Sequence, residues 1–343
     1  MKNILKWSGS ALISLLVFVL IRTFTFGEDV TNVKSVPLLD IDETAFAERF
    51  SGGLRIPTVA YTDRSKMNPK AFETFHSYLE KNYPKAHRFL SREIIGDLSL
   101  LYIWEGTNPS LNPVLLMAHM DVVPVTDASV DDWTYGPFKG DVADGYIWGR
   151  GAMDDKASLF SIMEAVEWLL SEGFTPERTI YISFGSDEEI GGTQGAAKIA
   201  ERMQLMNVIP EFVLDEGGGL LSGDMLPINS LSAFVAMGEK GYLSLILTAN
   251  GQGGHSSMPG TETTIGILAS AIQKLQENPL PASMTPSIRK MIEAFAPAMP
   301  FWMRVFVANQ WLLEKPFIKY ASGKPTLSAL MRTTMAPTII EGG

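Results

Sequence analysis

Residues 179–192 read Thr-Ile-Tyr-Ile-Ser-Phe-Gly-Ser-Asp-Glu-Glu-Ile-Gly-Gly and decide the fold class. The first six of them are β-branched or aromatic apart from one serine, which predicts a buried strand over Thr179–Phe184. The acidic residues Asp187, Glu188 and Glu189 follow at once. A buried strand that ends in a polar loop is typical of an α/β sheet, in which ligands bind at the carboxyl ends of the strands.

Two further apolar runs end in residues that can bind metals. Val114–Met117 precedes His119-Met120-Asp121, and Glu211–Leu214 precedes Asp215-Glu216-Gly217. Leu98–Trp104 is a further β-rich run, and Ala157–Leu170 has helical spacing. This alternation predicts an α/β fold, a sheet covered by helices on both faces.

The composition narrows the range of functions. The 343 residues are enough for two domains, and 46% hydrophobic with 19% charged residues indicates a globular chain. The net charge of −10 comes from 38 acidic against 28 basic residues without a basic run, which excludes nucleic acid as the main partner. Cysteine is absent, so neither a disulfide framework nor a thiolate metal site can form.

The pattern and composition of the sequence change after Asn229. Lys240–Ala249 predicts a strand, and Thr264–Leu275 predicts an amphipathic helix. Residues 279–325 are rich in Pro, Met and aromatic residues and resemble an apolar insertion or a partner surface. We therefore predict a catalytic domain over 46–237 and a second, smaller domain over 238–343.

The N-terminus has the pattern of a targeting segment. Lys2 and Lys6 precede an apolar run over Trp7–Ile21, which predicts a signal anchor or signal peptide over 1–27, followed by a linker over 28–45. The run is slightly short for a spanning helix of about 20 residues, so a cleaved signal and a soluble helix stay open beside the favoured anchor. An anchor would place the catalytic domain on the periplasmic, luminal or extracellular side, and cleavage would make the protein secreted.

Each polar segment alone has a plain structural interpretation. His119 with Asp121 is typical of a surface turn, and Asp154 with Asp155 of a helix N-cap. Together, at the ends of neighbouring strands, their like charges would repel strongly without a cation. The set therefore predicts a metal site.

The residue types indicate the chemistry of this site. The imidazole of His119 is a good zinc ligand, and Asp121 can hold its other nitrogen. Asp154 can bridge two ions about 3.5–4 Å apart, and Asp215 would complete a first site with His119 and Asp154.

Two further elements point to hydrolysis. Of the adjacent Glu188 and Glu189, one can bind a metal while the other acts as general base. His255, in the Gly253-Gly254-His255 turn of the second domain, can donate a hydrogen bond to the oxyanion of a tetrahedral intermediate, although a loop histidine without a role stays open.

In this order, the five segments resemble the metallopeptidase family that includes carboxypeptidase S, aminoacylase and succinyl-diaminopimelate desuccinylase. Carboxypeptidase S and its secreted N-acyl amino acid hydrolase relatives are the most similar members, and the resemblance runs from about Phe46 to the last residue. It implies a mixed-sheet catalytic domain with an inserted α+β lid domain, which often forms a homodimer. It also implies two Zn²⁺ per full-length subunit, replaceable by Co²⁺ or Mn²⁺, and a small peptide or N-acyl amino acid as substrate.

The resemblance assigns roles to individual residues. By this resemblance, one metal is bound by His119, Asp154 and Asp215, the second by Asp154 and Glu189, the general base is Glu188, and Asp121 orients His119. His255 matches a lid histidine that reaches the partner's active site, and the Asp154–Asp155 peptide bond is expected to be cis.

One departure from the family pattern leaves alternatives open. The family takes a further histidine from a segment beyond the lid, whereas this sequence ends within the lid pattern, so we expect a C-terminally truncated chain. A catalytically dead, membrane-tethered dimerisation or binding module is the alternative to a metal-dependent amide hydrolase. A mononuclear esterase or deacetylase is a third interpretation.

Overall fold

The computed structural model describes residues 2–27, 36–221, 228 and 231–341, and the side chains of residues 2–8 and 221 are not described. The chain divides into two compact units, one over Pro37–Glu216 and the other over Met1–Val36 with Gly217–Gly343. The sequence analysis places the corresponding domain boundary between residues 237 and 238, and residues 28–35 of its linker lie outside the described residues. The assignment of a lid over 238–343 stays a prediction.

The elements are numbered in chain order. The strands are β1 (Ser91–Ile95), β2 (Ser99–Trp104), β3 (Val114–His119), β4 (Asp141–Ala143), β5 (Tyr146–Trp148), β6 (Ile180–Gly185), β7 (Phe212–Leu214), β8 (Gly219–Leu221) and β9 (Ser232–Phe234). The α-helices are α1 (Lys2–Thr25), α2 (Glu43–Leu54), α3 (Pro69–Asn82), α4 (Pro84–Phe89), α5 (Lys156–Ser171), α6 (Ala196–Leu205), α7 (Thr264–Glu277), α8 (Pro286–Phe295), α9 (Phe301–Ala308), α10 (Gln310–Ser322) and α11 (Pro325–Met331).

A five-stranded sheet in the order β1-β2-β6-β3-β7 organises the unit over Pro37–Glu216. Strand β2 is antiparallel to β1 and β6, whereas β3 is parallel to both β6 and β7. The mixed α/β sheet expected from the sequence is therefore confirmed.

Helices cover both faces of this sheet, because successive side chains of a strand point to opposite faces. Tyr102 and Phe184 are fully buried on one face, in a core shared with Phe160 of α5. On the other face Leu101 lies in a separate core with Ile199 of α6. Because both faces are covered, the central strands β2 and β6 are nearly continuous apolar runs rather than alternating ones.

The parallel strands bring their carboxyl ends to one edge of the sheet. Strand β3 ends at His119, β6 leads into Asp187-Glu188-Glu189, and β7 leads into Asp215-Glu216. Helix α5 begins directly after Asp154-Asp155, whose peptide bond is cis as expected.

The second unit is mainly helical in its described part. Residues 279–325 form helices whose core includes Met303 and Phe317, and the amide of Asn309 donates to the Val19 carbonyl and the Thr23 hydroxyl of α1 at 3.3 and 3.1 Å. The predicted helix over Thr264–Leu275 is confirmed as α7.

The predicted strand over Lys240–Ala249 is wrong. This described segment has no regular secondary structure, and its side chains are largely exposed, with Ile246 90% accessible. A β-rich sequence becomes a strand only where another strand pairs with it, and no such pairing involves these residues.

Within the described residues, no helix is both long enough and apolar enough to cross a bilayer. The membrane anchor over 1–27 stays a prediction.

Candidate metal centre

His119 lies at the carboxyl end of β3 and is 2% exposed. Its Nδ1 is 3.0 Å from the carbonyl oxygen of Asp121. Because a carbonyl can only accept, Nδ1 carries the proton of this hydrogen bond. The other nitrogen, Nε2, is then directed towards the acidic side chains.

Two carboxylate oxygens lie close to this nitrogen. Nε2 of His119 lies 3.0 Å from Asp154 Oδ1 and 3.2 Å from Glu216 Oε2. One ligand atom from each of these residues lies within 4.8 Å of the other two. Glu188 is also close, with Oε2 3.8 Å from the same nitrogen. An imidazole and two carboxylates that converge in this way are a donor set typical of zinc.

The shifted pKa values of His119, Glu188 and Glu189 indicate that the cluster carries excess negative charge. Burial disfavours the imidazolium, but hydrogen bonds to the carboxylates of Asp121 and Glu216 outweigh it and raise the pKa of His119 to about 12. Burial, followed by the charge of Asp154, raises the pKa of Glu189 to about 7. Burial also raises the pKa of Glu188, to which the nearby carboxylates add. A bound cation would relieve this repulsion.

Asp155, a buried acid next to Asp154, also fits a cation site. Asp155 is 1% exposed, and burial raises its pKa to about 6. Its Oδ2 has no hydrogen-bond partner among the described residues. The donor types, their convergence and this unpaired oxygen together fit a site built for a divalent cation.

Asp121 makes contacts through both its backbone carbonyl and its side-chain carboxylate. Its carbonyl accepts from His119, as above, while Oδ1 and Oδ2 each accept a backbone N–H, from Glu188 and Glu189, both at 3.1 Å. Its carboxylate also lies 3.5 Å from Nδ1 of His119. The contact with His119 was predicted from the sequence, whereas the contact with the glutamate backbone was not.

The structure brings Glu216 rather than Asp215 to the group. The carboxylate of Asp215 accepts the N–H of Glu216 at 2.9 Å, and it is not among the three residues that meet. Asp215 was predicted as a ligand of the first metal from its position directly after the strand and from the family resemblance. The sequence carries no local signal that favours Glu216 over its neighbour.

The other predicted residues lie at different places. Glu189 is on the same turn as Glu188 but is not one of the three converging residues. His255 belongs to the second unit, where its Nδ1 accepts from the hydroxyl and N–H of Ser257 at 2.8 and 3.2 Å.

Lys156 is a residue that the sequence analysis did not use. It is fully buried at the start of α5, and its Nζ donates to the carbonyls of Gly53 and Ile56 at 3.1 and 2.8 Å. Nζ also lies 4.6 Å from the centre of the Phe75 ring. These contacts fix the turn that carries Asp154. A lysine that follows two acids gives no signal of burial in the sequence alone.

The chain matches the model of the peptidase family M20/M25/M40 over residues 115–308. It is 38% identical over 342 residues to the probable carboxypeptidase S-like 2 of Dictyostelium discoideum, covering 97% of this chain and 65% of the relative. It is 36% identical to the N-fatty-acyl-amino acid synthase/hydrolase PM20D1 of Xenopus tropicalis, covering 97% and 66%, and 37% identical to carboxypeptidase S of Saccharomyces cerevisiae, covering 86% and 54%. The chain thus spans about two thirds or less of the length of these relatives.

Among solved structures, the chain is similar to a metallo-carboxypeptidase from Sulfolobus solfataricus. The identity is 21% and the TM-score 0.43, with 52% of this chain and 38% of that chain covered.

Proposed function

The chain belongs to the peptidase family M20/M25/M40, and from this premise we propose that it is a zinc-dependent hydrolase of amide bonds to amino acids. The observation that carries the proposal is the convergence of His119, Asp154 and Glu216 at the carboxyl edge of the sheet. Without a cation these carboxylates would repel one another, so the arrangement is explained by an ion that they bind.

We assign the first ion to His119, Asp154 and Glu216, with Glu216 in the place that the sequence analysis gave to Asp215. A second ion is assigned to Asp154 and Glu189. Their proximity supports this, because the charge of Asp154 contributes to the raised pKa of Glu189. When bound, a zinc pair lowers the pKa of water to near neutrality and polarises the carbonyl of the substrate.

Glu188 is the proposed general base. Its carboxylate lies 3.8 Å from the first-site nitrogen of His119, and its backbone is held by Asp121. In this mechanism Glu188 takes a proton from the attacking water and then donates it to the nitrogen of the leaving amine. His119 and Asp121 stay in place as ligand and support, and His255 is proposed to stabilise the oxyanion.

The proposed substrate class is an amino acid that carries an acyl or peptidyl group on its nitrogen. Two relatives support it by their names, a carboxypeptidase S and an N-fatty-acyl-amino acid synthase/hydrolase. We further propose a homodimer formed through residues 238–343, supported by the exposed apolar side chains of Tyr242 and Ile246. Light scattering in solution would test it by the measured mass.

Replacing Glu188 by Gln tests the proposed reaction. We expect the variant to bind zinc like the original chain but to hydrolyse N-acyl amino acids at least a hundredfold more slowly, because general base catalysis is typically worth about 10²–10⁴-fold. Hydrolysis by Glu188→Gln at the original rate would exclude Glu188 as the base. One ion per chain at saturation, measured by elemental analysis, would favour the mononuclear interpretation.

A further inference from the structure

The turn that carries Glu188 and Glu189 is held by two buried carboxylates. Asp121, which is fully buried, accepts the N–H groups of both glutamates. Asp187 precedes them and is also 0% exposed. Of the two glutamates themselves, Glu188 is exposed and Glu189 is half-buried. Their positions therefore depend mainly on how the backbone of this turn is fixed.

Asp187 closes the loop that follows the turn. Its Oδ1 accepts the N–H of Gly195 at 2.7 Å, and its Oδ2 accepts the N–H of Gln194 at 2.9 Å. The approach is tight, because a Cβ at Gly195 would lie 2.5 Å from Oδ1. This carboxylate thus ties the start of the loop to the N-terminus of α6.

A buried carboxylate of this kind requires a positive charge nearby. The guanidinium of Arg64 donates to Oδ2 of Asp187 and, at 3.1 Å, to the hydroxyl of Thr193. Arg64 comes from a short 3-10 turn over Arg64–Lys66, which Asp63 caps by accepting the N–H of Ser65 at 3.2 Å. A segment 123 residues earlier in the chain therefore compensates the charge of Asp187.

We infer that Arg64 is a positioning residue for the Glu188–Glu189 turn. The inference rests on the proposed function, in which Glu189 binds the second ion. Without Arg64, Asp187 would be an uncompensated buried charge, and the loop over 187–195 would rearrange to bring it to water. Glu189 would then shift relative to Asp154, whereas the first site, at the ends of β3 and β7 and just before α5, would keep its geometry.

Zinc titrations of the full chain and its variants test the inference. Glu189→Gln first identifies the second ion as the one whose binding it removes. We expect Arg64→Met to weaken that ion at least tenfold and to leave the first ion within about twofold, since partners of ligands typically contribute 10–100-fold to metal affinity. Arg64→Lys keeps the positive charge but lacks the planar guanidinium with its several N–H donors. Its affinity for the second ion should therefore lie between those of Arg64→Met and the original chain.

Arg202→Met is the matched control. Arg202 forms a partly exposed pair with Glu93, at 2.8 Å for both of its hydrogen bonds, away from the turn. This variant should bind both ions like the original chain, and it should lose less stability than Arg64→Met because Glu93 remains in contact with water.

Each remaining outcome decides a specific point. If Arg64→Met binds both ions normally or weakens both equally, the positioning role is wrong. An original chain that binds a single ion would also overturn the inference while leaving the first site standing. An original chain that binds no ion would contradict the proposed function itself.

Discussion

Glu216 and Asp215 are neighbouring acids with opposite surroundings. The hydrogen bond with His119 lowers the pKa of Glu216, whereas Asp215 binds the backbone next to it. The register of β7 explains the difference. Leu116 pairs with Leu214, and continuing that pairing by two residues sets Glu216 at the level of Ala118, next to His119. No feature of the sequence specifies this register.

This difference can be tested with a matched pair of isosteric variants. We expect Glu216→Gln to weaken the first zinc ion by more than about 100-fold, because it removes an anionic ligand, whereas partners of ligands typically contribute about 10–100-fold. Asp215→Asn should change that affinity by less than about threefold, since an amide oxygen can still accept the Glu216 N–H. Zinc competition titrations measure both. The reverse ranking would return Asp215 to the first site.

His76 gives a prediction on acid stability. It is 7% exposed, and its Nε2 lies 2.9 Å from the Leu98 carbonyl. Burial lowers its pKa below the usual 6.5, so the unfolded chain takes up a proton at a higher pH than the folded chain does. The folded state therefore loses stability as pH falls below about 6.5.

Replacing His76 by Gln should make this pH dependence shallower. Gln can still donate to the Leu98 carbonyl but does not titrate. Urea unfolding at pH 7.0 and 5.0 measures the change. His87, whose pKa burial also lowers, remains in the variant, so part of the slope should persist. An unchanged slope would mean that His76 does not contribute.

At the scale of elements, α5 links the core to the site. It begins directly after Asp155 and carries Phe160, which is fully buried. The Phe160 ring lies 5.4 to 6.4 Å, centre to centre, from four aromatic rings. This packing sets the direction of the helix and, through it, the position of Asp154.

Phe160→Ala should destabilise the unit over 37–216 strongly. Loss of a fully buried aromatic side chain typically costs about 3–5 kcal/mol in unfolding free energy. Phe89, which is 59% exposed, is the control, and Phe89→Ala should cost less than about 1 kcal/mol. Denaturant unfolding gives both values. Equal losses would show that Phe160 does not anchor the core.

Elements with strong local patterns were predictable from the sequence. The apolar runs that became β2, β3 and β6, and the helical spacing of α5, were found within one or two residues of their observed ends. Lys240–Ala249 has an equally strong pattern but no strand partner. The contacts of Arg64 and Lys156 join segments far apart in the chain, and their partners are set by tertiary packing rather than by any local pattern.

At the scale of the molecule, the first metal site is contained in one unit. His119, Asp154 and Glu216 all belong to Pro37–Glu216. A fragment over 37–221 should therefore bind the first zinc ion with an affinity within about threefold of the full chain, and zinc should raise its melting temperature. Calorimetry measures both. A fragment that folds but binds more than about tenfold more weakly would show that the other unit contributes a ligand.

Because of the contacts of Asp121, the positions of His119, Glu188 and Glu189 all depend on the alignment of strand β3. The same residue supports the imidazole through its main chain and the two glutamates through its side chain. If β3 slid by one residue along β6, the imidazole and both glutamates would be displaced together. Variants at Asp121 should consequently weaken metal binding and slow proton transfer together. The rate constants of such variants would not separate the two effects.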